Sequence, residues 1–347
     1  MKKKLLSLVL AMSVSLTSFA MPILTLAEEA ETSVSDEPEQ TMHYPLTLID
    51  QAGREVTIEE APDRLISSYY ITTSALMALG LNDRIVGIES NADKRPVYQL
   101  SDPKLLELPA VGSVKEFDLE GCAALEPDLV ILPMKLQNTV ETLEALGITV
   151  MLVNPESQEL LTEMIQLIAE ATDTKAIADE LLAFIETQET SLSETLADAA
   201  DKPRVYLSGN SNMLSTAGNA MYQSDMIRLA GGENVAAELT DTYWSEVSYE
   251  QLLAWDPEYI IMASSAAYTI EDVLTDPNLA DCTAVKNGNV YHIPDTAESW
   301  DSPVPGSILG SVWLSSILHP DLISEEACTS VINEYYETFY HFTYSED

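Results

Sequence analysis

Between residues 157 and 200 the chain contains neither glycine nor proline, and almost no strand-like sequence. Apolar residues recur there three and four apart, at Leu160, Leu161, Met164, Ile165 and Ile168, then at Ile177, Leu181, Leu182 and Ile185. That is the spacing of one buried helix face. We read a helix, a short break at which Asp173 caps the next start, and then a long helix from about residue 174 to 199. This stiff interval divides the chain in two, and whatever fold forms must place one half on each side of it.

Each half alternates short strand-like runs with helices. In the first, 65–68, 85–88, 129–132 and 149–153 read as strands, and 72–79, 119–125 and 139–146 as helices, with Gly80 and Gly147 at two helix ends. In the second, 205–208, 259–262 and 290–293 read as strands. Strand–helix alternation predicts α/β architecture, with parallel sheets covered by helices. The halves also echo one another. Phe117-Asp-Leu-Glu-Gly-Cys-Ala-Ala-Leu-Glu-Pro-Asp-Leu-Val-Ile-Leu132 aligns with Val247-Ser-Tyr-Glu-Gln-Leu-Leu-Ala-Trp-Asp-Pro-Glu-Tyr-Ile-Ile-Met262. Both carry a capping residue (Asp118, Ser248), a helical run, an acid–Pro–acid stop and an apolar strand. The expected fold is therefore two similar α/β lobes joined by a single long bridging helix: a first lobe over 44–172, the bridge over 173–201, and a second lobe over 202–347.

The N-terminus reads as an export signal over 1–27, with Lys2, Lys3 and Lys4, an apolar stretch to Leu26, and small residues before Glu28. An uncleaved anchor is the competing reading. Residues 28–43 are acidic and lack apolar periodicity, as in a disordered linker. No cysteine lies near the signal to take a lipid, so the expected location is periplasmic or extracellular. Of the three cysteines, Cys282 and Cys328 could pair in an oxidising compartment, and Cys122 reads as core.

Acidic residues number 57 against 16 basic, a net charge of -41. Such a surface has nothing to neutralise nucleic-acid phosphates or to dock on anionic lipid. No phosphate loop, dinucleotide fingerprint or nucleophile elbow occurs, and His43, His292, His319 and His341 lack metal-site spacing. The expectation is a binding protein without cofactor, not an enzyme. The few cations are placed informatively. Lys94, Arg95, Lys115 and Lys135 follow strands, where open α/β sheets bind ligands. So do Tyr69 and Tyr70, while Trp244 and Trp300 lie in polar stretches that suit ligand-contacting faces. Taken singly, each cation also fits a solvated loop charge, and each aromatic also fits packing beneath a loop. Together these eight residues are the candidate ligand site, for an anionic ligand.

Several segments, in order, resemble one family. Asp50-Gln-Ala-Gly-Arg-Glu-Val-Thr-Ile58, Ala61-Pro-Asp-Arg-Leu65, Ala78-Leu-Gly-Leu-Asn-Asp-Arg-Ile-Val-Gly-Ile88, Leu108-Pro-Ala-Val-Gly112, Leu125-Glu-Pro-Asp-Leu-Val-Ile131, Leu229-Ala-Gly-Gly-Glu-Asn-Val235 and Ala284-Val-Lys-Asn-Gly-Asn-Val-Tyr291 are similar to the iron-complex and cobalamin class of ABC-importer binding proteins. The resemblance implies a ligand cleft between two lobes, a monomer, and delivery to a permease and its ATPase. It places a permease-docking acid at Asp225, whereas Ser74 stands where the first-lobe acid is usual. It also implies an iron–siderophore or similar anionic metal chelate as ligand. Cobalamin, haem or a molybdate- or tungstate-type oxyanion are alternatives, as is a ligand-sensing ectodomain. A small oxyanion would need backbone N–H donors and would leave Trp244 and Trp300 without an evident role.

Overall fold

The first lobe is built on β3 (Leu65–Ser67), β4 (Ile85–Gly87), β5 (Leu129–Pro133) and β6 (Thr149–Val153), preceded by a hairpin of β1 (Leu46–Ile49) and β2 (Glu55–Ile58). Its helices are α1 (Tyr70–Ala78), α2 (Pro96–Ser101), α3 (Leu119–Ala124), α4 (Val140–Ala145) and α5 (Gln158–Thr172). The bridging helix is α6 (Lys175–Thr195). The second lobe contains β7 (Arg204–Ser208), β8 (Ser215–Thr216), α7 (Tyr222–Leu229), β9 (Glu233–Asn234), β10 (Ser245–Glu246), α8 (Tyr249–Trp255), β11 (Tyr259–Met262), α9 (Ile270–Leu274), α10 (Thr283–Asn287), β12 (Val290–His292), α11 (Ile308–Leu318) and α12 (Glu325–Phe339). This computed structural model describes residues 43–199, 201–240 and 244–345. The export signal and nearly all of the acidic linker fall outside the described residues.

Two four-stranded parallel sheets stand on either side of α6, ordered β4-β3-β5-β6 and β12-β11-β7-β9. Alternation along each strand decides which core a side chain joins. Leu65, Leu129, Ile131, Met151 and Val153 face inward with α5, α6, α11 and α12, whereas Ile66, Val130, Leu132, Val150 and Leu152 fill a separate outer cluster. The second sheet repeats this: Val205, Leu207 and Ile261 face inward, and Tyr206, Ile260, Met262 and Val290 outward. The inner cluster is continuous from Leu65 to Tyr344, so both lobes share one core.

The repeated helix–strand unit is the same physical device twice. Asp118 accepts the Gly121 amide at the start of α3, and Ser248 accepts the Gln251 amide at the start of α8. Each helix ends on a residue of positive φ, Glu126 (48°) and Asp256 (43°), immediately before proline. The next acid then receives the amide that opens the neighbouring strand of the same sheet. Asp128 accepts from Arg64, and Glu258 accepts from Arg204. The side chains of those arginines return to the helix-end carbonyls of Leu125 and Glu126 in one lobe and Trp255 in the other. Orphan carbonyls at a helix C-terminus attract cations, so both lobes use one cross-lock.

Two expectations need correction. Asp173 does not cap α6; it closes α5 in a left-handed conformation (φ 58°), and Thr174 precedes α6 without a side-chain cap. Cys282 and Cys328 do not pair. Both are buried outside any disulfide, in the outer cluster of the second sheet and in the shared core respectively. No helix among the described residues is long and apolar enough to cross a membrane.

Candidate ligand cleft

The first lobe's contribution starts where β3 ends. The Ser67 hydroxyl bonds both Thr72 and Thr73, and Thr72 and Thr73 both reach the Tyr69 carbonyl, so the turn into α1 is held by hydroxyls. No side chain caps α1 and no acid occupies its first turn. Its leading N–H groups thus keep their affinity for negative charge. Beside them the buried Ser68 hydroxyl has no partner among the described residues. Tyr69 and Tyr70 meet edge to face at 5.3 Å, and the Arg95 guanidinium lies 3.9 Å from the Tyr70 ring centroid. Among the described residues Arg95 forms no ion pair.

Beneath this group is the Glu89 carboxylate, 6% exposed. It accepts 2.6 Å from the Tyr98 hydroxyl and 2.7 Å from Thr73. Burial pushes its pKa up, and those two hydroxyls and the nearby Arg95 oppose the rise. Tyr98 sits in α2, whose N-terminal flank is Arg95, so Glu89 ties the arginine's helix to α1.

The second lobe has its own polar group, again at strand ends. Ser208 closes β7 and bonds Tyr268 at 2.6 Å. Trp244 rests on Gly209, where any Cβ would stand 2.8 Å from its ring, so only glycine fits. After β11, Ser264 donates from its hydroxyl and amide to the buried Asp301 carboxylate. Burial raises the pKa of Asp301 against those bonds and His292. The lobes meet here. Ser302 and Asp301 both bear on the Tyr70 phenol, whose pKa burial raises while Ser302 and Arg95 lower it. The Val97 amide donates to the Ala297 carbonyl at 3.1 Å. A separate depression of about 440 Å³ in the second lobe is lined by Asn212, Met213, Glu246, Tyr249 and Tyr268 among others, with an acid and no cation among its described residues.

Of the eight expected residues, Tyr69, Tyr70 and Arg95 come together at the first-lobe wall, and Trp244 covers the end of β7. Lys94, Lys115 and Lys135 are exposed in turns of the first lobe that follow β4 and β5. Trp300 is a correction. It is 1% exposed, donates to the Tyr336 hydroxyl at 2.9 Å and leans on Tyr344 at 5.7 Å, so it packs the core and offers no face to a ligand. Ser74 is also buried, its carbonyl accepting from Tyr340, so that position is not a surface for docking. Asp225 is half-exposed on α7, paired with Arg228 at 3.0 Å. Ser68, Glu89, Ser264, Asp301 and Ser302 were missed. They are ordinary polar residues in sequence, and only the fold gathers them.

Two α/β lobes with strand ends turned toward a shared cleft, a helix N-terminus and an unpaired arginine define a two-lobed solute-binding protein. The chain belongs to the periplasmic binding protein family, whose signature matches residues 65–297. It is 27% identical over 324 residues to the molybdate-binding protein MolA of Haemophilus influenzae, covering 86% of this chain and 92% of that one. It is 30% identical over 208 residues to the vitamin B12-binding protein of Salmonella typhimurium, covering 59% and 74%. The crystal structure of the Haemophilus MolA bound to molybdate superposes with a TM-score of 0.76 at 26% identity, covering 87% of this chain and all of that one.

Proposed function

We propose that this protein is the exported solute-binding component of an ABC importer, and that it captures a small oxyanion of the molybdate or tungstate kind and hands it unchanged to a permease. The observation that carries the ligand class is Arg95. In a chain with 57 acids, a half-buried guanidinium that is stacked on Tyr70, near Glu89 but in no ion pair among the described residues, is held ready for an anion from outside. The uncapped start of α1 and the unpartnered Ser68 hydroxyl supply the N–H and O–H donors such a ligand needs. The objection that an oxyanion leaves both tryptophans idle falls away, since Trp300 is a core residue and Trp244 covers Gly209. The relation to a molybdate-binding protein supports the same choice. An anionic metal chelate, iron–siderophore above all, is the second reading, favoured by the half-exposed Tyr69 and Trp244. In either case the Asp225 side of α7 is the proposed permease contact.

Titration calorimetry with molybdate, tungstate, sulfate and a panel of ferric chelates separates the readings. Molybdate or tungstate should bind, and Arg95→Ala should weaken binding by roughly 10- to 100-fold, the worth of one hydrogen bond to a charged group. If no oxyanion binds while a ferric chelate does, the chelate reading replaces this one. If an oxyanion binds equally well to the Arg95 variant, the site is misplaced.

A further inference from the structure

Away from the cleft group, where α1 of the first lobe meets the C-terminal part of the second, lies a fully buried carboxyl with no cation beside it. Glu298 Oε1 is 3.1 Å from the Tyr340 hydroxyl, and that same hydroxyl is 3.0 Å from the Ser74 carbonyl of α1. A phenol has one proton to give. It cannot donate fully to both oxygens, so one of the two close contacts stays weak unless a second proton is present. A carbonyl has none. The requirement is met when Glu298 carries a proton on Oε1 and donates it to Tyr340, which then donates to Ser74. The other oxygen, Oε2, is buried without a partner among the described residues, as is the neighbouring Tyr335 hydroxyl. Both stand over Gly306, where an added Cβ would be 2.5 Å from Oε2 and 3.2 Å from the Tyr335 oxygen. An ionised carboxylate here would be a buried charge with no cation beside it and one oxygen without a hydrogen bond among the described residues, an expensive arrangement.

We propose that Glu298 is kept as a neutral acid in the seam between the lobes, and that its proton completes a chain, Glu298 to Tyr340 to the Ser74 carbonyl, which latches the second lobe to α1 of the first. The groups around it agree. From α12 come the phenols of Tyr335, Tyr336 and Tyr340; from α1, the Ser74 hydroxyl and carbonyl; from the turn Pro305–Ser307, the Gly306 backbone. Burial pushes the carboxyl pKa up to about 7, and the Ser74, Tyr340 and Tyr336 hydroxyls only partly offset it; no lysine, arginine or histidine contributes. A pKa raised on closure gives a definite sign. The latch is at full strength below the ordinary glutamate value of 4.5, weakens as pH rises toward about 7, and is at its weakest above that.

The test uses the full chain and needs no ligand. Amide hydrogen exchange along α1, corrected for intrinsic rates, is compared at pH 5 to 8.5 in the wild type and in Glu298→Gln, whose amide can donate to Tyr340 at every pH. In the wild type the protection of α1 should fall as pH rises, by roughly 75-fold in the opening equilibrium between pH 5 and 8.5 for a shift of this size. In Glu298→Gln it should stay flat at the acidic level. Infrared difference spectra between pH 6 and 9 should show a protonated-carboxyl band in the wild type that the variant loses, over whatever Glu89 and Asp301 contribute to both. Should Glu298→Gln fail to fold, Tyr340→Phe takes its place: it breaks the chain, so α1 protection should drop at pH 5 to the wild-type alkaline level. Equal pH dependence in wild type and Glu298→Gln, or unchanged α1 protection in Tyr340→Phe, overturns the proposal.

Discussion

Trp300 shows how burial assigns a residue its work. It lies in a polar stretch of sequence, yet its ring is wedged against Tyr344 and its N–H is spent on Tyr336. Buried indoles generally find such a partner. Trp300→Ala should therefore cost about 3–5 kcal/mol of stability, the usual range for a large aromatic removed from a core. Denaturant unfolding would measure it; a loss under 1 kcal/mol would mean that the ring is not part of the core. Arg95 is the opposite case, a cation whose side chain stacks on Tyr70 and forms no ion pair among the described residues, and its removal should be felt in binding rather than in folding. The two residues carry similar signals in the sequence. What separates them is the set of neighbours brought from distant positions.

At the scale of elements, the echoed units argue that a few local rules built both lobes. Capping residue, αL residue, proline and acid recur in the same order, and the same bonds form. Asp118→Ala and Ser248→Ala should each cost about 1 kcal/mol, as lost N-caps do. The two caps lie in different lobes, so the double variant should lose the sum within about 0.5 kcal/mol. Urea midpoints of the two single variants and the double variant check this, and strong non-additivity would show that the units are coupled. These elements were legible in advance because their signals are local. Strands β6 and β11 match the expected spans to the residue, and β3, β5 and β7 to within one. Helix α6 is shorter than expected, ending at Thr195, because alanine-rich sequence carries no stop signal of its own. Asp173 misled for a related reason: aspartate suits an N-cap, but it also tolerates the left-handed conformation that closes α5. The nearly all-buried α11 escaped the periodic reading because it has no polar face to create a period.

For the molecule as a whole, the shared inner core matters most. Leu65 and Ile131 of one sheet and Val205 and Ile261 of the other belong to a single buried cluster, bridged by α6, α11 and α12. Thermal unfolding monitored by far-UV circular dichroism and by tryptophan fluorescence should therefore give one coincident transition. Two separated transitions would show that the lobes fold as independent bodies. The seam at Glu298 adds a pH term to that cohesion, and the cleft adds a ligand term. Both act across the lobe boundary, where no local sequence pattern reaches.

The strand–helix alternation, the bridging helix and the repeated unit could all be read from the sequence, because each depends on residues a few positions apart: the spacing of apolar side chains, a cap and its helix, a proline after a helix end. The family resemblance added the two-lobed order of these parts. The tertiary structure alone decided sheet order, the gathering of Tyr69, Tyr70 and Arg95, the burial of Trp300 and Ser74, the absence of a disulfide between Cys282 and Cys328, and the meeting of Glu298, Tyr340 and Ser74. These depend on contacts between residues up to 266 positions apart, and whether a side chain ends as ligand contact, core or proton carrier is set by desolvation and by the neighbours that chain folding brings to it.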